Sequence, residues 1–95
     1  MSEGEIRNLI TQIPGWELLE QDGINRLQKS FKFNDFRSAL AFTNQVGAIA
    51  EEEEHHPSLY IQWGSVVITW WTHSIRGLHQ NDFIMAARTN ELYER

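Results

Sequence analysis

Histidine is the side chain best suited to exchanging protons near neutral pH, and this chain carries four, at positions 55, 56, 73 and 79. His55 and His56 are adjacent, follow the acidic run Glu51–Glu54 and precede Pro57. Glu51 lies four residues before His55, so on a helix the two side chains would share a face and the carboxylate could orient the imidazole. Pro57 disfavours helical geometry at His56. That places His55 at a helix C-terminus, where the dipole and the acidic run both favour a cation suited to donating a proton. The same Glu–His spacing fits plain solvated compensation of the helix end. Glu52 and Glu53 are expected in solvent, because neighbours on a helix are offset by about 100°.

His73 ends a run in which Val66, Ile68, Trp70 and Thr72 alternate with Val67, Thr69, Trp71 and His73. A strand over these residues would turn His73 away from the core. Gly64-Ser65 reads as a hairpin turn between two strands. The start of one strand, just after Pro57, and the end of the other then lie side by side, which carries His55, His56 and His73 to one end of a sheet. A lone histidine at a strand end is commonly incidental, and only this convergence favours chemistry. Several Glu near three His raise the question of a metal, but no His-x-His, His-x₃-His or HExxH spacing occurs, and adjacent histidines at a helix end should diverge. No metal site is expected. No Gly-rich phosphate loop, nucleophile elbow or dinucleotide fingerprint is present.

The elements that must position these groups are legible in the apolar pattern. Ser2 caps a helix expected to reach Ile13, with Ile6, Leu9, Ile10 and Ile13 at helical spacing and Pro14-Gly15 as its stop. Trp16–Glu20 and Ile24–Phe33 form a hairpin about Gln21-Asp22-Gly23. Leu27, Phe31 and Phe33 point one way, Gln28, Ser30 and Lys32 the other, and Lys29 interrupts the apolar set as an edge or wet position would. Asn34 opens a long helix to about Glu54, with Phe36, Ala39, Leu40, Thr43, Val46, Gly47 and Ala50 as its buried stripe. Leu59, Ile61 and Trp63 alternate in a third strand, and Val66–His73 is the fourth. A last helix spans about Gln80–Tyr93, with Asp82 in its first turn and Phe83, Ile84, Ala87 and Leu92 turned inward. The order α-β-β-α-β-β-α calls for an α+β domain: a four-stranded antiparallel sheet with three helices packed on one face.

Composition narrows the function classes. At 95 residues the chain reads as one domain, residues 1–95, whose core is thin enough that self-association would help it. Hydrophobic residues at 41% and charged residues at 22% are a globular balance. Four Trp, five Phe and two Tyr are many for this length and suit an interface, a flat-ligand pocket or simply an aromatic core. With no cysteine there is no disulfide or thiolate chemistry, which is compatible with a cytoplasmic setting. A net charge of −5 without a basic stripe argues against direct nucleic-acid binding. No secretory signal and no apolar run of membrane-spanning length are visible.

Taken together, Glu51-Glu52-Glu53-Glu54-His55-His56-Pro57, then Thr72-His73, Gly77-Leu78 and Asp82, resemble the pterin-4a-carbinolamine dehydratases. Their pattern is an acidic residue, three spacers, His-His-Pro, an aromatic a few residues on, a distant His and then an Asp. Gly15-Trp16, Phe31-Lys32-Phe33, Asp35-Phe36 and the last helix extend the resemblance over nearly the whole chain.

The resemblance implies a lyase that removes water from a 4a-hydroxytetrahydropterin, such as 4a-hydroxytetrahydrobiopterin, to give a quinonoid dihydropterin without a cofactor. By it, His55 and His73 are the acid/base residues, His56 binds and positions the pterin, and Glu51 supports the histidine pair. Glu54, Trp71, Thr72 and Ser74 flank the pterin, and Asp82 adds a supporting hydrogen bond. The family also implies homodimers or homotetramers. Two positions depart from its pattern: Leu59 stands where Trp is frequent, and Trp71 where a small residue is usual. Trp71 shares a strand face with His73 in this scheme and would reshape the pocket. Two other roles keep the same fold: a non-catalytic module that stabilises a partner's dimer, and a pterin-binding accessory protein without turnover.

Overall fold

The computed structural model describes residues 1–95. Helix α1 (Glu3–Ile10) is followed by strands β1 (Glu17–Gln21) and β2 (Ile24–Lys32), helix α2 (Phe36–Glu52), strands β3 (Ser58–Gln62) and β4 (Ser65–Trp70), a short 3-10 turn (His73–Ile75) and helix α3 (Gln80–Glu94). The strands form one antiparallel sheet in the order β1-β2-β4-β3, an α+β architecture with the anticipated element order.

Alternation decides which face of the sheet is covered. Leu27 and Phe31 of β2 and Val66, Ile68 and Trp70 of β4 are buried against Ile6 of α1, Ala39, Phe42, Val46, Ile49 and Ala50 of α2 and Phe83, Met85 and Ala86 of α3. All three helices therefore contribute to one apolar cluster on one side of the sheet. Phe31 and Phe42 of this cluster join the partly buried Phe33 and the exposed Tyr93 in an aromatic knot at its margin, with centroid separations of 4.9–5.7 Å.

The caps explain where the helices begin. Ser2 and Glu5 form a reciprocal capping box on α1, and Asp35 Oδ1 accepts the Ser38 N–H at 2.7 Å on α2. These backbone and side-chain bonds hold the Glu5 and Asp35 carboxyls below their usual range. The β1–β2 turn places Asp22 and Gly23 at φ of 54° and 74°, the paired left-handed conformation of a tight hairpin.

Several expectations need correcting. Helix α1 stops at Ile10, three residues short of Ile13, yet Ile13 is still buried. In α2, Phe36 and Leu40 lie exposed, and Phe42 and Ile49 take the inward positions instead. In α3, Ile84 is exposed and Met85 and Ala86 face the core. Lys29 sits on an inner strand, not an edge. Its Nζ donates to the carbonyl of Pro14 at 3.0 Å and to Asn90 Oδ1 at 2.8 Å, and desolvation pushes its pKa down. Gly15 sits at φ 85°, a left-handed conformation that any side chain would strain, and the tip of Lys29 passes 2.7 Å from where its Cβ would lie. Strand β4 ends at Trp70, so His73 belongs to the turn beyond it, not to the strand.

Candidate functional site

The site begins with how α2 ends. The Glu54 N–H donates to the Glu51 carbonyl and the His55 N–H to the Ala50 carbonyl, with Glu54 at φ 50°. This is a Schellman turn built on a non-glycine residue. It breaks the helical path one residue before His55, so the i, i+4 relation expected of Glu51 and His55 does not hold. Glu51 Oε2 instead faces His56 Nε2 at 3.2 Å, on the exposed surface. The expectation that Glu51 orients His55 is therefore corrected.

His55 is held from the other side of the fold. Its Nε2 lies 2.6 Å from Asp82 Oδ1. Asp82 has no solvent exposure, and its second oxygen accepts the Thr72 hydroxyl at 2.8 Å and the backbone N–H of His79 at 2.9 Å. A carboxylate oxygen with two donors already in place leaves Oδ1 as the acceptor for an Nε2–H. That fixes the His55 tautomer and leaves Nδ1 unengaged. The ring also stacks on Trp70, 5.6 Å between centroids and 5° from parallel. Trp70 is itself anchored by its Nε1–H to Thr89 Oγ1 at 3.2 Å.

His73 is placed by the segment after β4. Thr72 and Gly77 exchange two backbone hydrogen bonds, closing a small loop that contains the 3-10 turn, with Arg76 left-handed at φ 51°. His73 Nε2 lies 3.2 Å from the carbonyl oxygen of His56. A carbonyl only accepts, so Nε2 carries the hydrogen and Nδ1 is again the nitrogen left over. His73 packs against Trp71, 4.4 Å between centroids.

Glu54, His55, His56, Thr72, His73 and Ser74 line one cavity of about 320 Å³, within the size range of small-molecule sites. The end of α2 and the loop after β4 thus converge, as the β3–β4 hairpin requires, although its two-residue turn is Trp63-Gly64 and not the expected Gly64-Ser65, which already opens β4. Trp71 does not line this cavity. It stands behind His73 and borders a neighbouring groove. The fourth histidine, His79, caps α3 by accepting the Asn81 N–H on Nδ1. No group of three or more His, Asp or Glu side chains converges in the way a metal would need. No helix is long and apolar enough to cross a membrane.

Two features escaped the sequence. The Trp70 wall behind His55 has no signature, because the ring reads as one more core residue of β4. The Thr72–Asp82 bond joins residues ten apart, whose meeting depends on the Thr72–Gly77 closure.

The chain matches the family model for pterin 4 alpha carbinolamine dehydratase over residues 1–92. It is 55% identical over 92 residues to a Nitrosococcus oceani protein named "Putative pterin-4-alpha-carbinolamine dehydratase", spanning 97% of this chain and 81% of that one. A Microcystis aeruginosa protein of the same name is 58% identical over 91 residues, spanning 96% and 78%. Among solved structures, a transcriptional coactivator/pterin dehydratase from Brucella melitensis superposes with a TM-score of 0.88 at 32% identity, covering 98% of this chain and 97% of that one. A pterin dehydratase-like protein identified as a RuBisCO assembly factor in the alpha-carboxysome shares the fold, with a TM-score of 0.70 at 24% identity, covering 83% and 89%. With the family model running almost from end to end and relatives above half identity, the chain belongs to the pterin 4 alpha carbinolamine dehydratase family.

Proposed function

We propose that this protein is a hydro-lyase that converts a 4a-hydroxytetrahydropterin to the quinonoid dihydropterin by histidine acid/base catalysis. The observation that carries this reading is the pair of imidazoles on one cavity, His55 and His73, each tethered through Nε2 and each with Nδ1 left for proton exchange. In the reaction the C4a–O bond breaks and a ring N–H proton departs. Hydroxide is a poor leaving group, so an acid must protonate the oxygen as it leaves as water. His55 takes this role as the imidazolium, giving up the proton on Nδ1 while its Nε2–H stays on Asp82, which supplies the counter-charge. His73, whose neutral tautomer keeps a lone pair on Nδ1, accepts the ring proton. Each such group contributes typically about 10²–10⁴-fold.

His56 binds and positions the ring, with Glu51 supporting it. Glu54, Thr72 and Ser74 supply polar contacts around the ring, and Trp71 backs His73. Residues 1–95 act as one catalytic domain, in the cytoplasm, as a homo-oligomer, in the recycling of tetrahydrobiopterin.

The test is dehydration of enzymatically generated 4a-hydroxytetrahydropterin by wild type, His55→Ala and His73→Ala. A loss of at least 10²-fold is expected for each variant. Equal rates for all three reject the catalytic reading. Pterin binding without turnover points to an accessory binder, and no pterin binding at all to an interaction module.

A further inference from the structure

The uncovered face of the sheet carries a second concavity of about 350 Å³, between strands β2, β3 and β4, lined in part by Arg26, Gln28, Ser58, Tyr60, Thr69 and Trp71. It adjoins the histidine cavity. Trp71 borders it and packs on His73, and Ser58 follows His56 by two residues at the start of β3.

Arg26 is the one cation in this groove, and its circumstances are unusual. Its guanidinium lies 4.2 Å from the Trp71 ring centroid, a cation–π contact that fixes its position. Three ion pairs exist in the protein, His55–Asp82, His56–Glu51 and Arg88–Glu53, and none involves Arg26. Of its five N–H donors, one reaches the Gln21 carbonyl at a long 3.4 Å. Its Nε is shielded from solvent with no acceptor at all, the sole buried side-chain polar atom so left. A buried donor without an acceptor carries a desolvation cost, and the donors an incoming oxyanion would meet are the Nη N–H groups, which are not shielded in this way. The neighbouring Gln28 amide and Thr69 hydroxyl are already bonded to each other at 2.9 Å, so they floor the groove without competing for the guanidinium.

We propose that this groove is a binding subsite for an anionic group, a carboxylate or phosphate, recognised by Arg26 with Trp71 as its apolar shelf. Resting on the function proposed above, the group is the terminus of the C6 substituent of the pterin. That substituent leaves the ring in the histidine cavity, passes over Trp71 and meets the guanidinium. The chain then favours pterins with an anionic C6 substituent over those with a neutral one. Trp71, which holds the guanidinium in place from 4.2 Å, contributes to this preference.

Two experiments separate the subsite from the reaction. The first measures binding, by tryptophan fluorescence, of two oxidised pterins that cannot be dehydrated: one with a neutral hydroxymethyl group at C6 and one with the aryl-carboxylate tail of pteroic acid. Wild type is expected to bind the carboxylate form about 10-fold or more tightly. Arg26→Gln is expected to bring the two affinities together, and Arg26→Lys to restore part of the difference. Thermal melts establish that both variants fold. The second compares kcat/KM for 4a-hydroxytetrahydropterins with an anionic and a neutral C6 substituent, where the ratio should fall toward one in Arg26→Gln. Equal affinities in wild type, or a preference that survives Arg26→Gln in a folded variant, overturn the subsite. Tight, Arg26-dependent binding of pteroic acid by a protein that dehydrates neither substrate upholds the subsite and defeats the function on which its assignment to C6 rests.

Discussion

Asp82 gathers more of the site than any histidine. It is fully buried, accepts from His55, Thr72 and the His79 backbone, and thereby joins the end of α2, the segment after β4 and the start of α3 at one carboxylate. Asp82→Asn keeps the shape but turns one acceptor into a donor, which must face either the His55 Nε2–H or the Thr72 and His79 donors. The expected outcome is a fall in kcat/KM of roughly 10²-fold or more, by analogy with other imidazoles that lose their orienting carboxylate. A stability loss of about 1–3 kcal/mol should accompany it. Stability alone would not distinguish orientation from packing, so the deciding readout is the ¹⁵N spectrum of the His55 ring. Read on the deprotonated ring at alkaline pH, its Nε2–H tautomer should dominate in wild type and lose that dominance in Asp82→Asn. An unchanged tautomer together with an unchanged kcat/KM in the variant would refute the orienting role. The sequence named His55, His56, His73 and Asp82 as a set, because their types and order carry a pattern. It mispaired them, because spacing along a helix reveals local neighbours only. Asp82 comes to His55 from 27 residues away, through packing that no local rule encodes.

At the scale of elements, the Schellman turn after α2 aims His55 and His56 and pays for it in backbone strain. Glu54 adopts φ 50°, where an L-residue with a Cβ is disfavoured by about 1 kcal/mol or more. Glycine is the usual occupant. Glu54→Gly is therefore expected to be more stable than Glu54→Ala by about 0.5–1 kcal/mol, a difference of a few degrees in Tm for a chain of this size. Chemical denaturation of the two variants measures it, and equal midpoints would mean the turn is not strained in solution. The strands and their inward residues were legible because period-two alternation is short-range and binary. Helix α3 was not. Its inward face mixes Phe83, Met85 and Ala86 with three polar residues, each matched to a distant partner: Asp82 to His55, Thr89 to Trp70 Nε1, and Asn90 to both Trp16 Nε1 at 3.0 Å and Lys29. A search for an apolar stripe passes over such a face and picks the exposed Ile84. The polar positions are what lock α3 to the sheet in one register, since each leaves an unpaired buried group if the helix slides.

At the scale of the whole molecule, the two sheet edges are treated differently, and this bears on assembly. Strand β1 carries Glu17 and Glu20, charges of the kind that discourage edge pairing. Strand β3 has none along Ser58–Gln62, and Tyr60 and the adjoining Trp63 are 59% and 68% exposed. Leu59, on the helix-covered face of the same strand, and Phe36 and Leu40, one turn apart on α2, are also exposed apolar side chains. Only 22 of 95 residues are buried, so a monomer leaves much of its apolar surface in water. The proposed homo-oligomer would cover this side. Sedimentation at micromolar concentration should give a dimer or tetramer for wild type. Leu40→Glu should shift it to monomer, because a charge at the centre of a desolvated interface is costly whereas an exposed helical glutamate is not. The circular dichroism of Leu40→Glu should stay helical, which separates lost assembly from lost folding. A monomeric wild type at tens of micromolar, or a Leu40→Glu variant that still assembles, would remove α2 from the interface. The uncharged edge of β3 would then need another occupant.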